Sequence, residues 1–94
     1  MRDRTMHVGQ HALALVEDDE EPGWHQYRGT IDSWEIVACN LGEVWRVSLL
    51  GWGGVVRAEG FHVSPDNALA LARARLGTTL VLLAEALTRP GGVP

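Results

Sequence analysis

The chain has 94 residues, an apolar content of 46% and a net charge of −4. That length supports one hydrophobic core, and that composition belongs to a globular domain rather than a disordered one. Its eight basic residues are all arginine and are scattered, which excludes the clustered cations that general affinity for nucleic acid phosphate requires.

Cys39 is the single cysteine, so no disulfide can form within the chain and a reducing compartment is expected. No basic-then-apolar leader is visible, so a secretory signal is not expected. The longest apolar runs fall short of the roughly 18–20 residues that a membrane span needs. The expectation is a cytoplasmic protein without membrane contact.

In chain order, residues 1–10 are polar and without period, which predicts a mobile lead-in. Residues 11–16 alternate Leu13 and Leu15 as a strand would, although the alanines also suit a short helix. A strand is preferred, because a loop follows. That loop holds five consecutive acids, Glu17, Asp18, Asp19, Glu20 and Glu21, before Pro22-Gly23. Adjacent carboxylates repel one another and resist burial, so the loop stays in water.

Residues 24–31 predict a strand with His25, Tyr27 and Gly29 on one face and Trp24, Gln26 and Arg28 on the other. Residues 34–39 predict the next, with Trp34, Ile36 and Ala38 opposite Glu35, Val37 and Cys39. Asn40-Leu41-Gly42 is a hairpin turn. Residues 44–50 form the clearest strand, alternating Trp45, Val47 and Leu49 with Val44, Arg46 and Ser48. Gly51-Trp52-Gly53-Gly54 is a turn. Residues 55–61 follow as a strand with Val56 and Ala58 inward, and Gly60 marks a bulge or a close backbone approach.

Ser64-Pro65-Asp66 opens a helix: Ser64 is a cap, Pro65 fits the first turn, and Asp66 suits the positive end of the dipole. Ala68, Leu69, Ala72, Leu76, Leu80, Leu83 and Leu87 share one face at 100° per residue. Gly77 interrupts the run without shifting its phase, which predicts one long helix, straight or kinked there, rather than two. Arg89-Pro90-Gly91 ends it, and residues 89–94 are expected to be mobile. The fold class is therefore α+β in a single domain over 1–94: an antiparallel meander of three to five strands packed against one C-terminal helix.

The join G-F-H-V-S-P-D-N-A-L-A-L-A-R-A-R-L, with Gly60, Ser64 and Ala68 in its rhythm, resembles the HicB-like antitoxin domain. The strand–strand–strand–helix layout over residues 34–87 also resembles the double-stranded RNA-binding domain. The lysine cluster of the latter is replaced by Pro65, Asp66 and Asn67, whose acidity opposes phosphate, so direct nucleic acid binding is not expected. HicB-like antitoxins usually add a DNA-binding segment for which this chain leaves no room. What both resemblances leave is a fold that binds and blocks a protein. Small phage-encoded inhibitors, anti-CRISPR proteins among them, are similar in size and charge.

No G-x-S-x-G, P-loop or G-x-G-x-x-G is present. His7 and His11 would face together on a helix, but Gly9 between them and the lack of a third ligand argue against a metal. Cys39 reads as a small buried thiol sooner than a nucleophile. The sequence therefore predicts no enzyme activity, no metal and no cofactor. Its expected function is a protein-interaction module that binds and blocks a partner carrying a basic groove, through Glu17, Asp18, Asp19, Glu20, Glu21, Trp24 and Trp52. The alternative is a small-ligand or catalytic domain with a sheet–helix pocket lined by tryptophans and histidines. Leu71, Val81 and Leu82 lie off the main helix face, and a symmetric homodimer through them is the economical reading.

Overall fold

The computed structural model describes residues 3–18, 25–31 and 33–88, and within these the side chains other than those of 18, 52, 79 and 81–88. Its elements are β1 (Thr5–Val8), β2 (His11–Asp18), β3 (His25–Ile31), β4 (Trp34–Asn40), β5 (Trp45–Leu50), β6 (Val56–His62) and α1 (Pro65–Thr88). Each strand pairs antiparallel with the next, giving one sheet in the order β1-β2-β3-β4-β5-β6. The class is α+β as expected, but the sheet has six strands, not three to five.

The added strand is β1, which lies within the stretch expected to be a mobile lead-in. Thr5 to Val8 pair with Ala14 to His11, and Leu15 N donates to Arg4 O at 2.7 Å. Val8 is fully buried and Met6 half-buried, and that burial fixes so short a segment. Residues 89–94 and the Trp24 side of the β2–β3 connection lie outside the described residues.

Alternation along the strands builds one inner face. Val8, Leu13, Tyr27, Ile36, Ala38, Val47 and Leu49 form the core with Ala68, Leu69 and Ala72 of the helix, and Trp45 and Leu76 pack at its margin. The helix rests on β6 and β5 and also touches β1, the far edge of the sheet. Strand twist accumulates from each neighbour to the next. Over this sheet it carries the β1–β2 turn onto the first turns of α1.

That contact is specific. Gly9, at φ 62°, presents its amide to Asp66 Oδ1 at 2.7 Å. Asp66 therefore does more than complement the helix dipole; it ties the two edges of the sheet together. Asp66→Ala should lower stability by about 1 kcal/mol, and Asp66→Asn should recover part of it by keeping the acceptor. A urea midpoint unmoved by Asp66→Ala would show that the turn is held by other contacts. Ser64 caps as expected, its Oγ accepting from Asn67 N at 3.4 Å and its carbonyl from Ala68 N at 2.9 Å.

Two expectations about β6 resolve differently. Gly60 is a close approach: a Cβ there would collide with the Ala68 carbonyl and lie 2.7 Å from Ala72 N. Val56 does not point inward. A bulge sets Leu49 opposite Ala58 but Leu50 opposite Val56, leaving Val56 half-exposed and Arg57 as the extra residue.

The helix continues through Gly77 to Thr88 as one element. Among the described side chains the last to pack on the core is Leu76; Gly77, Thr78 and Leu80 are exposed, Leu80 at 47%, so Leu80 is not the buried centre that its phase suggested.

Candidate interaction surface

Register places the acidic run at one end of the sheet. Asp18 pairs with His25, His25 with Asn40, Asn40 with Trp45 and Trp45 with His62. This row crosses β2 to β6, ~19 Å at the usual strand spacing. Three connections leave from it: the β2–β3 segment with the acids, the β4–β5 turn and the link into α1. Glu17 is exposed at the end of β2; Asp19, Glu20, Glu21 and Trp24 lie outside the described residues, as does the Asp18 side chain.

Large apolar side chains stand in water at this same end. Val16, Leu41, Phe61 and Val63 are each about half-exposed or more, and Val63 reaches 68%. Leu41 is held in its turn by two bonds: Leu41 N donates to Val44 O at 2.8 Å, and Gly42 N donates to Asn40 Oδ1 at 2.8 Å. Glu43 beside it is also exposed. These exposed apolar residues share one end of the sheet with the exposed carboxylates of Glu17 and Glu43. Sequence reasoning missed Leu41 and Val63. The signal was there: each is an aliphatic residue in a connection, where no strand or helix period demands one.

Trp52 does not join this surface. It opens a 3-10 turn, Trp52–Gly54, between β5 and β6 at the opposite end, one strand length away. The expected pairing of Trp52 with the acidic run in one site is therefore not what the fold builds. Leu71 lies on the helix flank, 39% exposed, while the side chains of Val81 and Leu82 lie outside the described residues.

Behind the connections sits an aromatic cluster. His25 meets Tyr27 and Trp45 edge-on, with ring centroids 5.4 and 5.3 Å away, and the Tyr27 hydroxyl donates to the Asp3 carbonyl at 2.7 Å. His62 Nδ1 accepts from Ser64 N at 3.0 Å, which fixes the ring at the start of the helix. These contacts stiffen the end of the sheet from which the apolar residues project.

Among the described residues no helix lies on the outer face of the sheet, yet Val37, Cys39, Ser48 and Leu50 are buried there. Long charged neighbours screen them: Arg28 reaches Glu35 at 2.5 Å, and Arg46 Nε lies 3.7 Å from Glu59, which also accepts from Ser48 Oγ at 3.3 Å. Burial pushes the Cys39 thiol upward; Arg46 opposes this and Glu17 adds to it. The thiolate is disfavoured, the reverse of what a nucleophile needs. Because the folded pKa is raised, the stability this thiol contributes is present below the unfolded pKa and is lost as pH rises through the folded one.

His7 and His11 fall on the β1–β2 hairpin, not on a helix, where His7 pairs with Ala12 and His11 with Val8. They face opposite sides of the sheet, and His11 Nε2 instead lies 2.8 Å from Arg73 Nη2. Among the described residues no group of three metal-ligating side chains converges. A groove of about 630 Å³ runs between β6 and α1, lined by Arg57, Ala58, Glu59, Phe61, Ala74, Arg75 and Thr78. Neither tryptophan nor histidine lines it, unlike the expected ligand pocket. The β6 edge along this groove is guarded: Arg75 donates to the Glu59 carbonyl at 2.8 Å, and the bulge disturbs the ladder just before it.

No helix among the described residues is long and apolar enough to cross a membrane. No protein-family model, no curated protein and no solved structure matches the chain.

Proposed function

We propose that this protein is a non-enzymatic interaction module that binds and blocks a protein partner, in the manner of a small antitoxin or a phage anti-defence inhibitor. The supporting observation is the end of the sheet where Val16, Leu41, Phe61 and Val63 stand exposed beside the acidic run. An apolar patch with a charged border is how docking surfaces are built, the patch giving affinity and the border giving approach. The acids Glu17 to Glu21 would steer a partner with an arginine-lined groove toward Leu41 and Val63. Docking is through side chains rather than by strand addition, since Arg75 and the bulge guard the β6 edge.

Pull-down from the native host with mass spectrometry tests this. The expected result is a stoichiometric protein that Leu41→Asp with Val63→Asp no longer retains, although the variant melts as the wild type does. Changing Asp18, Asp19 and Glu20 to Ser should leave stability within about 0.5 kcal/mol, slow association and weaken its salt dependence. Retention of the partner by the Leu41–Val63 variant would move the interface elsewhere. A co-purifying small molecule in place of a protein would favour a ligand-binding domain.

A further inference from the structure

We infer that two neutral imidazoles, His11 and His62, hold the first half of α1 to the sheet, and that acid loosens this attachment. Each ring accepts a hydrogen bond that joins a strand to the helix or its cap. His11, at the start of β2, has its Nε2 2.8 Å from Arg73 Nη2 of α1. A guanidinium stays protonated and carries donors only, so Arg73 donates and His11 Nε2 accepts. His62, the last residue of β6, accepts from Ser64 N at its Nδ1, at 3.0 Å. Ser64 caps α1, so this bond sets how the helix leaves the strand.

Both acceptors are lost on protonation, because an imidazolium has an N–H on each ring nitrogen and only donates. At His11 it would set donor against donor and cation against cation across 2.8 Å. At His62 it would set a second donor against Ser64 N, beside the positive end of the helix dipole. The two bonds also require opposite neutral tautomers. His11 carries its proton on Nδ1 and His62 on Nε2.

The charges around the rings do not supply the missing acceptors. α1 presents Arg73 and Asp66 to the β1–β2 hairpin, and Asp66 Oδ1 is engaged by Gly9 N. Asp66 favours a cation nearby, but it cannot turn the Arg73 donor into an acceptor. On β1, Val8 lies opposite His11, and His7 faces the other side of the sheet. On β5, Trp45 lies opposite His62, with the His25 ring 5.3 Å beyond it. Arg46 and Glu59 face each other on the outer side of the sheet, and Glu43 is exposed in the β4–β5 turn. Each bond exists while its ring is neutral. The stability it adds is therefore present above the imidazole range, about pH 6.5 in model peptides, and is lost as pH falls through it.

Two measurements test this, and neither involves a partner. Long-range proton–nitrogen correlation spectra of the wild type at about pH 8 should show His11 protonated on Nδ1 and His62 on Nε2, opposite tautomers. Between about pH 7.5 and 5 the wild type should lose roughly 4 °C or more in melting temperature, for two hydrogen bonds broken. The double variant His11→Gln with His62→Asn keeps an oxygen acceptor at each place that does not titrate. It should lose less than half as much, the remainder coming from His7 and His25. A neutral ring protonated on His11 Nε2 or His62 Nδ1 overturns the proposal, even if the double variant fails to fold. So does a wild type whose melting temperature does not fall, or a double variant that falls as far as the wild type.

Discussion

Gly60→Ala should cost the protein about 3 kcal/mol, near the upper end for overpacking a well-filled interface. The added methyl would collide with the Ala68 carbonyl and lie 2.7 Å from Ala72 N and 2.9 Å from Leu71 Cβ. Two of those atoms are helix backbone, which cannot rotate away as a side chain tip can. The strand and helix must separate, and the contacts of Ala68, Leu69 and Ala72 with the sheet loosen together. The opposing effect is smaller: alanine restricts the unfolded chain and returns only ~0.4–1 kcal/mol. For a domain of this size the melting temperature should fall by roughly 12 °C or more. Gly77→Ala is the control. Nothing lies within 4 Å of its added methyl, so it should be neutral or stabilising. A Gly60→Ala protein that melts with the wild type would show that α1 does not sit on β6 at this point.

Leu69→Ala should be as damaging, at ~2–5 kcal/mol, because it removes a buried side chain and leaves a cavity. Leu69 is 3% exposed and reaches under the β1–β2 turn, where its Cδ2 would lie 3.3 Å from a Cβ on Gly9. The comparison with Leu80→Ala carries the information. Both leucines occupy the same helical face by phase, yet Leu80 is 47% exposed. Within one chain Leu80→Ala should cost under about 1 kcal/mol, since little of the side chain leaves water on folding. Measured at dilutions where the chain is monomeric, equal losses for the two variants would show that the sheet covers more of the helix than Leu76.

The site was only partly legible. The acids 17–21 stood out in sequence because five like charges in a row resist burial in any fold. Glu17 is exposed as expected, although it and Asp18 belong to β2 rather than to the loop. Leu41 and Val63 did not stand out, because a single aliphatic residue in a connection has no period to betray it. By sequence Trp24 sits beside the acidic loop and Trp52 in a glycine turn, which does not say where those two connections lie. Only the meander order shows that the β5–β6 turn and the β2–β3 connection leave from opposite ends of the sheet.

Local chemistry determined the elements. Period-two alternation in β4 and β5, Asn40-Leu41-Gly42 between them, and Ser64-Pro65-Asp66 ahead of an unbroken apolar phase each specify a strand, a turn or a helix from neighbours a few residues apart. Gly60 belongs with them, since a lone glycine in a strand implies that something passes close. Tertiary structure decided the rest, because it depends on lengths and on accumulated twist. Thr5–Val8 is a strand because twist over the whole sheet brings its turn to Asp66 and buries Val8. Val56 faces water because one residue of bulge reverses its side. Leu80 is exposed although it shares the phase of buried Leu69, because how far along α1 the sheet reaches depends on how the two elements cross, which no periodicity within either one contains.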